Sequence, residues 1–133
     1  MLALPVTALY AGVLALVLIF LAFSTGAART KAGVSVGDGG DTALLVAIRR
    51  HGNAVEWVPM ALILLGLIEA NGAPAGLLHG LGGALVLARI AHPLGLHHQP
   101  MSHPLRLAGA GTTTLVMLIA AGYAIWQTVR TLI

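Results

Sequence analysis

The chain has 133 residues, 58% of them hydrophobic and only 8% charged, with seven Lys and Arg against four Asp and Glu and no cysteine. A soluble domain carries about 25% charged residues, so this composition excludes a soluble globular protein and fits a one-domain integral membrane protein. The basic balance rests on too few and too scattered cations for a nucleic-acid stripe, and the lack of cysteine excludes disulfides, thiolate metal sites and a protein thiol nucleophile.

A membrane-crossing helix needs about 20 mostly apolar residues, and four segments qualify: roughly 3–24, 42–70, 74–96 and 104–132. The first, within "MLALPVTALYAGVLALVLIFLAF", has no positive n-region and an apolar run longer than that of a signal peptide, so it reads as a retained span. A Gly-rich polar loop, "STGAARTKAGVSVGDGG", follows and ends before Asp41, which is placed to cap the second helix. Pro74 and Pro104 stand where first-turn prolines are tolerated. Gly76 and Gly80 form a GxxxG, and "AGAG" with Thr112 to Thr114 supplies small residues on the fourth helix, all read as packing surfaces. The fold expected is therefore all-α, a bundle of four transmembrane helices.

Six of the seven basic residues, Arg29, Lys31, Arg49, Arg50, Arg89 and Arg106, cluster around the first and third loops. The positive-inside rule then puts those loops in the cytoplasm and both termini on the other side, with Arg130 the exception. The second helix would be about 40 Å long against a hydrocarbon core of about 30 Å, so its first turns project inward. Arg49 and Arg50 then lie near the interface, and Glu56 lies deeper.

At 100° per residue, Arg49, Asn53 and Glu56 fall within about 60° of one another on one face of that helix, while Arg50 and His51 point elsewhere. Arg89 and His92, three apart, share a face of the third helix, and Arg106 sits in the first turn of the fourth. Three helices thus offer polar groups to one layer. A charge left unpaired at the bilayer centre costs on the order of 3 kcal/mol, so these groups need partners or a wet cavity. One solution is an interhelical network in which Glu56 pairs with Arg49 or Arg89 and Asn53 bridges helices. The other is an anionic ligand, favoured because four arginines face one carboxylate and guanidinium forks match carboxylates.

The pattern in "RRHGNAVEWVP", followed by "LILLGLIEANGAP", "ARIAH" and "HPLR", resembles the membrane-associated proteins in eicosanoid and glutathione metabolism, the MAPEG family. The resemblance covers nearly the whole chain and is closest to short bacterial members of the microsomal glutathione transferase type. It implies a homotrimer in the bacterial inner membrane, with glutathione as cosubstrate held between neighbouring subunits near the cytoplasmic face. By motif position it assigns Arg49, Asn53 and Glu56 to glutathione, Glu56 to its amine, and Arg29 and His51 to further contacts. Arg89 and His92 belong to the same expected site, and Arg106 matches the arginine that holds the thiolate.

A thiol of ordinary pKa, about 8.5, is mostly protonated at neutral pH, and an adjacent guanidinium favours the thiolate. The expected activity is thus glutathione transfer or peroxidase chemistry on a lipophilic electrophile or hydroperoxide arriving through the lipid. The alternative is a glutathione-binding or structural membrane protein of the same fold. Leu96 stands where several eicosanoid enzymes of the family carry an aromatic hydroxyl, and Tyr10 and Tyr123 lie toward the other leaflet. His92, His97, His98 and His103 around the third loop match no standard ligand spacing, so no metal is expected. Glu69 has no local cation and is read as solvated at the interface or joined to a trimer contact.

Overall fold

The computed structural model describes residues 3–133, all of whose regular structure is helical. Four helices follow one another: α1 (Pro5–Ala32), α2 (Thr42–Ala70), α3 (Ala75–Gly95) and α4 (Pro104–Leu132). Each is long and apolar enough to cross a membrane, and in lipid the helix is the element that satisfies every backbone group within a single segment.

The sequence ends the first helix at residue 24, whereas α1 continues to Ala32. The polar stretch "STGAARTKA" stays helical, and its hydroxyls find acceptors on the preceding turn: Ser24 on the Phe20 carbonyl, Thr25 on Leu21 and Thr30 on Gly26. Its Ala, Arg and Lys residues are also strong helix formers. Gly33, at φ 67°, ends the helix, with its own N–H on the Thr30 carbonyl and that of Val34 on the Arg29 carbonyl. This is a Schellman stop, which needs a left-handed residue. Asp41 caps α2 as its position suggests, accepting from the Leu44 N–H at 2.8 Å. Pro104 opens α4, but Pro74 is the residue before α3 rather than within its first turn.

The most extensive pairings are α3 with α4 and α1 with α2. Both outer helices also touch the other two, while α1 and α4 do not meet among the described residues. The cross-section is therefore a diamond, with α2 and α3 on the short diagonal. Its core runs through Leu14, Val58, Leu65, Ile68, Leu85 and Val116, and much of the remaining apolar surface is exposed to lipid.

Three glycines set the interhelical spacing, and at Gly95 an added Cβ would run into the backbone of Leu105 and Arg106 at the start of α4. A Cβ at Gly109 would stand 2.7 Å from both the Ala88 carbonyl oxygen and the His92 Cβ, so α4 crosses α3 in near backbone contact. A Cβ at Gly82 would enter the Tyr10 ring. Gly76 and Gly80, by contrast, meet nothing of this protomer within 4 Å. The GxxxG therefore does no packing inside the bundle.

The end of the bundle away from the basic loops is fastened by two polar side chains. Glu69, near the C-terminus of α2, accepts from the N–H groups of Val6 and Thr7 at 2.9 and 2.7 Å. It thus caps the N-terminus of α1, which has no capping side chain of its own. This gives Glu69 partners within the protomer that the sequence did not suggest. Gln127 of α4 donates to the carbonyls of Ile68 and Asn71 and closes the end of α2.

Candidate functional site: a cationic cleft at one end of the bundle

At the opposite end, a cleft of about 380 Å³ opens between α2, the last turn of α3, the connection that follows it and the start of α4. Arg49 and Asn53 of α2, His92 of α3 and Arg106 of α4 line it, with no carboxylate among the lining residues. Of its two guanidiniums, that of Arg49 has a countercharge in Glu56 just outside the lining, and that of Arg106 has none in the wall.

The helices hold each group differently. His92 is 4% exposed and packs where Gly109 lets α4 approach. Arg106 lies one turn into α4 and donates through Nη1 to the Met101 carbonyl at 3.1 Å, leaving most of its five N–H donors unspent. Arg49 reaches Glu56 at 3.4 Å, with both side chains about half exposed. Asn53 turns its Oδ1 toward α3, accepting from Arg89 Nη1 at 3.0 Å.

Arg89 is not in the cleft wall. It is 2% exposed, donates to Asn53 and, through Nη2, to the Gly109 carbonyl at 3.0 Å, and so ties α2, α3 and α4 together behind the site. Hydrogen bonds from a charged donor contribute about 1.5–3 kcal/mol each, which suits a strut better than a ligand contact. The Arg89–Asn53 contact is the interhelical bridge weighed on the sequence, the Arg49–Glu56 pair lies within α2, and the cleft exists beside them. Glu56 is paired with Arg49 outside the cleft lining. Arg29 bonds its own loop at the Gly37 carbonyl, 2.8 Å away, and His51, partly buried, also lies outside the lining. Of the eight expected site residues, four converge in one protomer.

Some contributors lie outside the expected site. Leu96, His97, His98 and Met101 of the α3–α4 connection form one wall of the cleft; the sequence signal for the two histidines is the histidine-rich run itself. His97 and His103 pack edge to face at 5.3 Å. Arg50, on the far side of α2, donates through Nε and Nη2 to the Leu96 carbonyl at 3.0 and 2.8 Å and fixes where that connection begins. The phenol of Tyr10 bonds His79, on the third helix's opposite half, and Tyr123 packs on Trp126 near the end of α4. Neither lines the cleft.

Four spans, a cleft lined by Arg49 and Arg106 at the basic end and an arginine strut behind it make this a small integral membrane protein with a polar cleft among its helices. The chain belongs to the MAPEG family, whose model matches residues 7–126. It is 37% identical over 121 residues, 91% of each chain, to a protein named inner membrane protein YecN in Escherichia coli K12, and equally to its counterpart in E. coli O6:H1. No solved structure matches the chain significantly.

Proposed function

We propose that this protein is a glutathione-dependent enzyme of the bacterial inner membrane that conjugates lipophilic electrophiles or reduces lipophilic hydroperoxides. The observation that carries this reading is the cleft itself: Arg49, Asn53, His92 and Arg106 face one space with no carboxylate in its wall. Glutathione brings two carboxylates to such a site, and Glu56 beside Arg49 is the nearby acid for its ammonium group. In the homotrimer this reading entails, Arg29, His51 and Glu56, which lie outside the protomer's own cleft, serve a site shared with the neighbouring chain.

Arg106 supplies the chemistry. Its guanidinium lowers the free energy of the glutathione thiolate relative to the thiol, and the released proton goes to solvent. The thiolate sulfur then forms a C–S bond and expels the electrophile's leaving group. With a hydroperoxide, it attacks the terminal oxygen and expels an alkoxide, which takes a proton from solvent and leaves as the alcohol; a second glutathione then attacks the resulting sulfenic sulfur, giving the disulfide and water. The protein contributes position and charge rather than a covalent intermediate.

Mixing glutathione with the purified protein at neutral pH, against S-methylglutathione as blank, should give a stoichiometric ultraviolet thiolate signal. The Arg106→Ala variant should lose this signal, and its turnover should fall about 100-fold or more while the glutathione Kd moves by less than about threefold. Equal losses in binding and turnover would remove the role given to Arg106. A second reading, a glutathione binder without turnover, is favoured by one observation: no phenolic hydroxyl is among the residues lining the cleft. It forecasts protection against thermal unfolding by glutathione with no product from any electrophile.

A further inference from the structure

The cleft owes one wall to the segment between α3 and α4, residues 96–103, which is not helical. Among the described residues, no amide from His97 to Ser102 donates to a backbone carbonyl. The segment is therefore placed by its ends and by the side chains that reach it. Two arginines do so. Arg50 of α2 donates through Nε and Nη2 to the carbonyl of Leu96, the first residue of the segment, at 3.0 and 2.8 Å. Arg106 of α4 donates to that of Met101 at 3.1 Å. Arg50 is itself not among the residues lining the cleft.

We propose, resting on the glutathione reading of the cleft, that Arg50 is a positioning residue for the thiolate step: it touches no ligand and sets where the Arg106 guanidinium stands. Leu96 follows Gly95, where an added Cβ would run into the backbone of Arg106, so the residue that Arg50 grips adjoins the point where α3 and α4 touch. Five residues further on, the same segment presents the Met101 carbonyl that orients the Arg106 side chain. Both the main chain and the guanidinium of Arg106 are thus referred to a segment pinned from α2. The chemistry of the pin suits this role. Leu96 caps the end of α3, where carbonyls lack intrahelical partners and carry the negative end of the helix dipole. The guanidinium fork meets that one oxygen with two donors, which fixes it more closely than a single donor would.

Removing the pin separates position from binding. Without Arg50 the segment shifts and carries the Met101 carbonyl with it, while Arg49 and Asn53, on the helix α2 itself, keep their places in the cleft. The loss therefore falls on the thiolate and on turnover, where a displacement of about 1 Å costs up to about 100-fold in rate. Affinity for glutathione stays near its original value.

The test is the full chain carrying Arg50→Met, which keeps the stem of the side chain and removes its donors. The glutathione thiolate signal should fall about tenfold at neutral pH and return as the pH passes about 8.5. Turnover should fall about tenfold at neutral pH, with the glutathione Kd changed by less than about threefold. Arg50→Lys, which keeps one charged donor, should restore most of both, and Arg50→Gln reports in the same way should Arg50→Met not assemble. In the Arg106→Ala background, Arg50→Met should cost no further turnover, since it acts through Arg106. Additive losses, or equal losses in Kd and turnover, would make Arg50 a general structural residue and overturn the proposal. A spin label on Gln99→Cys reads the pin without glutathione: it should move more freely in Arg50→Met than in the parent chain, and equal mobility would sink the idea. A parent chain with no thiolate signal removes the proposed function and the thiolate role of Arg50 together, whereas a parent signal that Arg50→Met leaves intact removes the role of Arg50 alone.

Discussion

Arg89 shows how much one close backbone approach decides. Its guanidinium finds the Gly109 carbonyl because α4 crosses α3 in near contact, and the same oxygen also accepts from the buried Thr113 hydroxyl at 2.8 Å. Gly109→Ala should therefore do more than crowd a helix pair. The added methyl forces α4 off α3 and lengthens the bond to Arg89, at a cost of about 1–3 kcal/mol, measurable as a lower Tm in detergent. Gly80→Ala, with open space around its Cβ, should leave the Tm of the protomer unchanged. The motif spacing puts Arg89 in the right layer but leaves its direction open, because whether a guanidinium meets a ligand or a carbonyl depends on a helix 20 residues further on. The cleft residues on α2 and α4 were more legible. Arg49 and Asn53 share a helix face by simple rotation, and Arg106 is held near the cleft mouth by the Pro104 start.

At the scale of the helix, length is the property that sequence reads least well. The α1 extension through Ala32 could not be read from hydropathy, since "STGAARTK" is polar and carries a glycine. Its hydroxyls are satisfied by carbonyls of the preceding turn, and that of Thr25 also reaches the Ala47 carbonyl of α2 at 3.1 Å, which fastens the extension to its neighbour. The start of α1 depends on another element entirely. Glu69→Ala removes both acceptors for the Val6 and Thr7 amides and should lower stability by about 1.5–3 kcal/mol. Hydrogen exchange checks it locally: those two amides should exchange faster, while the Leu44 amide, capped by Asp41, should not.

For the whole molecule, the diamond arrangement leaves α1 and α4 at opposite corners, each with a broad apolar flank. In the trimer of the proposed reading, part of that surface meets other copies, and light scattering should give a protein mass of three 13.6 kDa chains. The topology read from the arginines is directly testable because the chain contains no cysteine of its own. Single variants Ser35→Cys and Ser102→Cys should react with a membrane-impermeant maleimide only from the cytoplasmic side, and Ile133→Cys only from the other. The reverse labelling would invert the bundle and move the cleft to the outer leaflet.

The carboxylate that caps α1 also has a bearing on how the chain enters the membrane. A ribosome delivers α1 some 60 residues before Glu69, so the first helix must settle in the bilayer with its leading amides unsatisfied or held by water and headgroups. It acquires its acceptor only when α2 has crossed and come alongside. The pairing of these two helices is therefore a late event, in which insertion supplies the spans and Glu69 fixes their register.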